Sequence, residues 1–501
     1  MAPKNSFATR GAAGSSVPAV RVRSVNGGPV RNDGRYVLYW MIAFRRPGWN
    51  FSLQRAVEHA AALRLPLVVF EPLRCDYRWA SPRLHQFIVQ GMRANAAAIE
   101  RQRGGVTYFP YVERARGEGR GLLARLAADA AVVVTDDFPC FFLPQMVQAA
   151  AGDLTVRLEA VDSNGILPLR ITDRVFTVAH SFRRFVQQVV LDHLSDGPVA
   201  EPLRGLPRVE PVRLADDLVA RWPAFDVGAT GLPDWWSRLP LDWQVSPVDQ
   251  RGGWEEAERS LAEFLTRRLT HYDTDRNDPD TEATSGLSPY LHFGHISSHQ
   301  VVQQLLERSE WTPKRVAAKP TGSAGGWWGA SAAAEAFLDQ VITWRELGYN
   351  MSSLRGDYDQ YESLPDWAQT TLAQHARDQR PYVYDLEQFE SAATHDRLWN
   401  AAQRQLMSEG RMHNYLRMLW GKKILHWSAS PREALAVMIE LNNKYALDGR
   451  NPNSYSGIFW TLGRYDRAWG PERPIFGKIR YMTSENTARK LNVTSYLRRY
   501  S

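Results

Sequence analysis

The sequence predicts an N-terminal α/β domain built on a doubly wound parallel sheet, followed by an all-α C-terminal domain. Between residues 35 and 197, apolar runs of strand length alternate with segments of helical spacing, a pattern typical of a parallel sheet covered by helices on both faces. Beyond residue 253 only the 3.6-residue spacing remains. The chain of 501 residues is also long enough for several domains of roughly 100–200 residues each.

Five strands and four helices are predicted in the α/β domain. The strands lie at residues 36–44, 65–70, 107–112, 131–135 and 155–161, and the helices at 51–63, 82–102, 121–130 and 145–151. Ligands of such sheets bind at the carboxyl ends of the strands, where the segments that follow Phe44 and Thr135 lie. Neither GxGxxG nor GxxxxGK[ST] follows a strand, so the sequence does not indicate a Rossmann dinucleotide site or a P-loop.

The remaining segments are assigned by composition and spacing. Residues 1–34 hold one acidic residue and no apolar secretion signal, which favours a disordered basic tail over a transit peptide. Residues 198–253, rich in Pro, Asp and Trp, are predicted to connect the domains. In the helical domain, residues 254–501, we expect helices at 254–269, 297–308, 332–349, 398–427 and 431–445, and a flexible Gly/Ala/Ser-rich insertion at 311–334.

The amino-acid composition indicates which classes of function and partner fit the chain. Lys and Arg total 61 against 54 Asp and Glu, and there are 18 Trp. A basic, aromatic-rich surface suits nucleic acid, although a Trp-rich core under a solvated basic surface would have the same composition. The two cysteines, Cys75 and Cys140, are too few for a disulfide framework or a zinc site. We therefore expect no metal, and we expect a reducing compartment such as the cytoplasm. No run of about 18 apolar residues indicates a membrane span.

Three segments carry candidate chemistry, and each has a purely structural alternative. TSGLSPYLH at 284–292 offers hydroxyls and backbone N–H groups for a phosphate, but helix capping explains such residues equally well. In GRMHNYLRMLWGKKILHW at 410–427, Trp420 and Trp427 share a helix face, as core residues also do. ELNNKYALDGRNPNSYSG at 440–457 collects amides and a carboxylate, as turn-rich loops also do.

Together and in this order, these segments resemble the photolyase/cryptochrome flavoproteins, most closely the class II cyclobutane pyrimidine dimer photolyases. The likeness runs over residues 36–501 and is strongest over 281–296 and 335–501, with the strings FESAATHDRLWNA, LDGRNPN and GKIRYM. It implies an antenna domain at 35–197 and an FAD-binding catalytic domain at 254–501. It also implies light-driven repair of pyrimidine dimers in double-stranded DNA by a monomeric lyase, in the cytoplasm or on the nucleoid of a bacterium.

The resemblance also implies roles for residues at the flavin. The family's phosphate-holding positions match Ser285, Leu287 and Ser288. A buried salt bridge beside the isoalloxazine ring matches Arg417 and Asp448, and the residue that faces flavin N5 matches Asn442. The electron-transfer tryptophans match Trp420, Trp399 and Trp427. Class II relatives typically carry an antenna chromophore of the 8-hydroxy-deazaflavin type, but no motif in this sequence is specific to it.

At the substrate side, the residues that line the pocket for the extruded dimer match Trp344, Met418 and Trp460. The basic segment that holds DNA at the lesion matches Arg467, Lys478 and Arg480. Gln340 stands where the family has its active-site glutamate, which hydrogen-bonds the dimer.

The sequence departs from the family pattern at three places, which leaves other functions open. Gln340 is one, RELGYNMS with Gly348 and Tyr349 in place of Ala and Asp is the second, and WMIAFRRPGWN after the first strand is the third. Gln340 and Tyr349 favour a photolyase-fold flavoprotein without repair activity, such as a cryptochrome-like sensor or a repurposed flavoenzyme. The retained Trp344, Trp460 and basic residues favour repair. A DNA-binding module without catalysis is the third alternative, which bound flavin would exclude.

Overall fold

The computed structural model describes residues 17–102, 104–229 and 231–501 and contains the expected α/β sheet. Six strands lie in the order β1-β6-β5-β2-β3-β4. They are β1 Val22–Ser24, β2 Tyr36–Trp40, β3 Leu67–Leu73, β4 Val106–Val112, β5 Ala130–Asp136 and β6 Leu158–Val161. Strands β2 to β6 are parallel, and β1 pairs antiparallel with β6. All residues of β2 and β5 are buried, which explains their unbroken apolar runs.

Helices cover both faces of this sheet, so the doubly wound prediction is confirmed. They are α1 Phe51–Leu63, α2 Pro82–Glu100, α3 Leu122–Ala128, α4 Leu143–Asp153 and α5 Ala179–Leu194. Asn50 caps α1 by accepting the N–H groups of Ser52 and Leu53, which fixes the start of that helix at the predicted residue. The sequence analysis missed α5, although the spacing of Phe182, Val186 and Val190, all buried, carries its signal.

The prediction of a disordered tail at 1–34 is wrong for its second half. Residues 1–16 lie outside the described residues. Residues 17–34 hold a 3₁₀ turn, Ala19–Arg21, and the edge strand β1. The buried guanidinium of Arg21 donates to the backbone oxygens of Gly165 and Ile166, at 3.2 and 2.6 Å. Pairing with β6 orders this segment, and a three-residue strand leaves no periodic signal in the sequence.

The connector at 198–253 packs on the α/β domain as a series of short turns. It holds the 3₁₀ turns Pro202–Gly205 and Asp234–Arg238 and the helix α6 Asp216–Arg221. Leu218, Trp222 and Trp236 are buried in the main hydrophobic cluster. The low periodicity of this stretch therefore reflects short elements anchored by large apolar side chains.

After residue 253, the described part of the chain contains α-helices and no β-strand. These helices are α7 Trp254–Glu263, α8 Tyr272–Asp275, α9 Ser288–His292, α10 Ser298–Arg308, α11 Ala332–Leu338, α12 Arg345–Leu354, α13 Asp366–Gln374, α14 Leu386–Glu390, α15 Arg397–Glu409, α16 Asn414–Trp427, α17 Pro431–Tyr445, α18 Pro452–Thr461, α19 Ser484–Lys490 and α20 Thr494–Arg499. π-Helical turns occur at Phe264–Arg268 and Asp339–Trp344. Among the described residues, none of the helices has the length and apolar character needed to cross a membrane.

Two helix predictions need correction. The expected helix at 398–427 is two helices, α15 and α16, because Gly410 adopts φ 67° and ends α15 in the left-handed conformation that glycine favours. The expected helix at 332–349 contains the π turn Asp339–Trp344 between α11 and α12. A π turn inserts one extra residue per turn, and such turns are frequent at functional sites.

The prediction of a flexible insertion at 311–334 is also wrong. Trp311, Trp327 and Trp328 are 3%, 3% and 7% exposed. The indole N–H of Trp311 donates to the backbone oxygen of Trp328 at 2.6 Å, and the N–H of Ala317 donates to that of Trp327 at 2.8 Å. The Gly and Ser content suggested mobility, but the three tryptophans fold the segment onto the protein.

Candidate functional site

The predicted salt bridge forms between α16 and the turn that follows α17. Nη2 of Arg417 lies 3.4 Å from Oδ1 of Asp448, and the side chains are 20% and 14% exposed. The pair was expected to be buried, and the structure shows it partly open to solvent. Water therefore screens it, and its contribution to folding is at most about 1 kcal/mol.

Asn442, the residue expected to face flavin N5, is held rigidly near the end of α17. Its side-chain amide donates to Oγ of Ser454 at 2.7 Å and to Oδ1 of Asn443 at 3.2 Å. Asn443 in turn donates to the hydroxyl of Tyr455 at 3.0 Å and accepts the N–H of Arg450 at 2.8 Å. This buried network sets the orientation of Asn442 before any ligand binds.

The loop at 284–288, expected to hold phosphates, contacts Arg268, whose Nε is buried and lacks a protein partner in the described part of the chain. Arg268 donates to the backbone oxygen of Thr284 at 3.0 Å, and Gly286 has φ 70°. Nε of Arg268 and Nε of Arg276 find no partner among the described residues, and the ring of His413 lies against the backbone of Arg276. Burial lowers the pKa of His413 to about 4, so its ring is neutral. Orphaned buried polar groups are rare in native proteins, so a ligand with phosphate and ring acceptors fits here.

The three predicted tryptophans form a continuous chain of rings. The ring centroids of Trp420 and Trp399 lie 6.4 Å apart with planes 3° from parallel, and those of Trp399 and Trp427 lie 6.1 Å apart at 70°. All three are at most 2% exposed. The indole of Trp399 donates to the backbone oxygen of Trp420 at 3.0 Å, and that of Trp420 to Oε1 of Gln403 at 2.9 Å. The chain is buried and rigid, which suits electron transfer as well as core packing.

Beyond Trp427 the structure adds residues that the sequence analysis missed. The rings of His395 and Tyr384 lie 4.9 and 5.8 Å from that of Trp427, and the Tyr384 hydroxyl is 2.7 Å from Nδ1 of His395. Nζ of Lys423 lies 5.0 Å from the Trp427 ring and 3.6 Å from Oδ2 of Asp396. Because Tyr384 comes from a loop before α14, its approach to α16 is a long-range contact without a local sequence signal.

Trp344 and Trp460, predicted to line the substrate pocket, lie in contact with each other. Trp344 comes from the π turn before α12, and Trp460 comes from α18. Their rings stack with centroids 4.7 Å apart and planes 25° from parallel, and both are half-buried. Gln340, on the same π turn as Trp344, and Met418, on α16, are half-buried as well. The two indoles therefore present one aromatic wall, which we call the indole wall.

The departures at 348 and 349 lie at two different contacts, Gly348 between α12 and α18 and Tyr349 between α12 and the α/β domain. A side chain at Gly348 would come within 2.7 Å of the Pro452 backbone oxygen, so α12 and α18 approach closely only with glycine there. Tyr349 is 3% exposed, accepts a hydrogen bond from Arg345 at 3.0 Å, and packs edge-on against Phe138. This tyrosine fills an interface and contacts neither indole of the wall.

The predicted basic segment surrounds a further aromatic residue. The guanidinium groups of Arg467 and Arg480 lie 4.9 and 5.3 Å from the ring of Trp469, and both arginines are exposed. Nζ of Lys478 lies 3.2 Å from Glu472 in an exposed ion pair. The sequence analysis missed Trp469, although an aromatic residue between basic ones is typical of nucleic-acid surfaces.

A cavity of about 100 Å³ opens at the carboxyl ends of β2 and β3. The carboxylate of Asp136, at the end of β5, accepts the N–H groups of Ile42, Ala43 and Phe44 at 2.7 to 2.9 Å and fixes the loop that forms one wall. Aromatic and aliphatic side chains make up most of the lining, together with Arg45, Arg74, His292 and Arg450. The cavity lies at the strand ends where the sequence predicted a ligand site.

Comparison with known proteins identifies the family. No protein-family model matches the chain. Over 484 residues it is 35% identical to the deoxyribodipyrimidine photo-lyase of Methanothermobacter thermautotrophicus, covering 96% of this chain and 98% of that one. It is 34% identical over 490 residues to the enzyme of that name from Oryza sativa, covering 95% and 89%.

Among solved structures, the cryptochrome of Synechocystis sp. PCC6803 matches in fold with a TM-score of 0.67 at 14% identity, over 93% of this chain and 88% of that one. The shared fold agrees with the α/β sheet, the helical domain and the order in which they follow one another. Because a relative at 35% identity spans nearly the whole of both chains, this chain belongs to the photolyase/cryptochrome family.

Proposed function

We propose that this protein is an FAD-dependent photolyase of the class II type, which uses light to repair cyclobutane pyrimidine dimers in double-stranded DNA. The observation that carries the proposal is the unbroken chain of indoles from Trp420 through Trp399 to Trp427, which runs outward to Tyr384. A row of oxidisable rings in contact can deliver electrons to a redox cofactor. The indole wall and the Arg467–Arg480 segment belong to the same domain as this row.

The helical domain would hold FAD through the groups described above. Arg268, Arg276 and the loop at Ser285 to Ser288 would hold its phosphates, and Arg417, Asp448 and Asn442 would hold its ring system. When bound and reduced, FAD supplies the light-driven one-electron chemistry that splits the dimer. The rigid hydrogen bonds of Asn442 hold one polar group at a fixed orientation toward the ring.

DNA would bind across the same domain. Arg467, Lys478 and Arg480 contact phosphates without reading sequence. The indole wall offers a stacking surface worth about 1–3 kcal/mol per base, which offsets the few kcal/mol needed to extrude a poorly stacked dimer. We expect the protein to act as a monomer in the cytoplasm, on the nucleoid if the host is bacterial.

An antenna chromophore would occupy the cavity at the ends of β2 and β3. Its mostly aromatic and aliphatic walls suit a planar ring system such as an 8-hydroxy-deazaflavin. Reconstitution with such a chromophore should add an absorption band to that of the flavin.

The test is illumination of the purified, reduced protein with an oligonucleotide that carries one thymine dimer. We expect dimer loss in blue light and none in the dark. A protein that binds flavin and photoreduces it but leaves the dimer intact would be the repair-inactive flavoprotein, which Gln340 favours.

Replacing Gln340 by glutamate should raise the repair yield modestly and leave the dissociation constant for dimer DNA nearly unchanged. Glutamine keeps a hydrogen-bond donor of the same reach but cannot deliver a proton. A positioned acid contributes about 10²–10⁴-fold where proton transfer limits the rate, and electron transfer does most of the work here, so we expect only about a twofold gain.

The yield is measured as dimers split per absorbed photon, with Gln148→Glu, at an exposed glutamine on α4, as the matched control. Loss of repair in Gln340→Glu would show that the glutamine itself is required. Absence of repair in both wild type and variant would favour the repair-inactive alternative.

A further inference from the structure

The segment at 311–334 carries three exposed cations. They are Lys314, Arg315 and Lys319, and the segment contains no acidic residue. None of the three side chains forms an ion pair or a hydrogen bond with another described residue. Unpaired cations on a segment without acids create a local positive potential, which attracts a polyanion.

Helix α5 fastens this segment beside the candidate DNA site. Gln187 accepts the N–H of Gly322 at 2.8 Å and donates to the backbone oxygen of Ser323 at 3.0 Å. Arg183 also donates to the oxygen of Gly322, at 3.3 Å. These bonds hold the insertion on α5 only three residues after Lys319.

The same helix contacts both edges of the substrate site. Arg183 forms a two-pronged ion pair with Asp339 at 2.7 and 3.0 Å, directly before Gln340. Val178, which precedes α5, forms a backbone bridge with Tyr465, two residues before Arg467. On the outer face of α5, Arg184 is exposed and unpaired within the described part of the chain. We call Arg184, Lys314, Arg315 and Lys319 the α5-side patch.

The length of α5 and of the chain from Gly322 back to Lys319 limits how far the α5-side patch can lie from Val178. From Val178 to Gln187 the backbone advances about 14 Å at 1.5 Å per helical residue. The three residues back to Lys319 span at most about 10 Å more. The path from Val178 to Lys319 is thus at most about 24 Å, which corresponds to no more than about seven base pairs of duplex at 3.4 Å per base pair.

Resting on the proposed function, we infer that the α5-side patch contacts the phosphate backbone of the duplex that flanks the lesion, on the side away from the Arg467–Arg480 segment. The patch holds DNA without contacting the dimer. It therefore contributes to affinity for long duplexes and not to the rate of dimer splitting.

The experiment compares Lys314→Ala/Arg315→Ala/Lys319→Ala with a control triple, Arg116→Ala/Arg120→Ala/Arg208→Ala. The control removes the same charge from exposed arginines near β4, the far edge of the sheet. Dissociation constants are measured against salt for a duplex of about 20 base pairs with a central dimer, and for a short single strand with the same dimer. Flavin content confirms that each variant folds.

For the Lys314/Arg315/Lys319 triple variant on the duplex, the plot of log association constant against log salt should become less steep by about 2–3. The reason is that each lost phosphate contact removes about 0.9 from the magnitude of the slope. The affinity of this variant should fall about tenfold near 0.1 M salt, with the short strand and the repair rate at saturating DNA unchanged. The control should stay within about twofold of wild type. Lys319→Arg, which keeps the charge, should behave as wild type.

A patch variant that follows the control in both slope and affinity would overturn the inference. A weaker repair rate at saturation would also overturn it, because the patch would then act on the chemistry. Wild type that binds the duplex but does not repair it would overturn the proposed function alone. Wild type with no affinity for the duplex would overturn both.

Discussion

Trp420→Phe should slow photoreduction of the oxidised flavin by about 100-fold or more, because an activation barrier raised by about 3 kcal/mol has that effect. Phenylalanine keeps most of the packing volume, but its ring is far harder to oxidise than indole. The fold should survive, since the variant loses one hydrogen bond, to Gln403, worth about 1 kcal/mol. The rate is followed as bleaching of the oxidised flavin band under blue light with an external thiol.

Two controls separate electron delivery from structure. With chemically reduced flavin, Trp420→Phe should repair dimers as wild type does, because the indole chain only recharges the cofactor. Trp328→Phe changes another buried indole, one that packs edge-on against Trp327 outside the chain, and should photoreduce normally. Normal photoreduction in Trp420→Phe would return this tryptophan to the role of a core residue.

Arg417→Ala should lose most of its bound flavin, with a dissociation constant for FAD roughly 10–100-fold higher, as expected when a hydrogen bond to a charged group worth about 1.5–3 kcal/mol is lost. Once the cofactor covers the pair, Asp448 would be left without its partner. Without flavin, the variant should unfold nearly as wild type does, because the pair is then partly exposed.

The ratio of flavin to protein absorbance after purification gives the retained fraction, and titration with FAD gives the affinity. Arg417→Lys, which keeps the charge but not the planar fork, should retain an intermediate fraction. Normal flavin content in Arg417→Ala would remove this residue from the proposed cofactor site.

Elements with local signals could be predicted, and elements set by distant contacts could not. Helix α17 runs over the predicted residues because Ser430 caps it and Pro431 occupies its first position. Strand β1 escaped prediction because only its pairing with β6 creates it. The insertion at 311–334 was misjudged because its Gly and Ser outnumber the three tryptophans that anchor it.

The site follows the same division. Residues within the strings shared with the family were assigned by resemblance, and the structure brings Trp420, Trp399 and Trp427 into ring contact. The exposure of the Arg417–Asp448 pair, the approach of Tyr384 to Trp427 and the position of Trp469 between two arginines depend on tertiary packing. No spacing rule within one segment contains that information.

The stacked indole wall has a consequence for how undamaged DNA is rejected. A base inserted between Trp344 and Trp460 would need the rings roughly 7 Å apart, twice the contact distance between carbon atoms, whereas they are 4.7 Å apart. In the free protein, one face of each indole is already covered by the other indole. An incoming base would therefore have to replace the contact between Trp344 and Trp460. A normal thymine, still paired and stacked in its helix, gains too little from the remaining faces to leave. Under the proposed function, the stacked pair would therefore set an energetic threshold that favours nucleotides already loosened by damage.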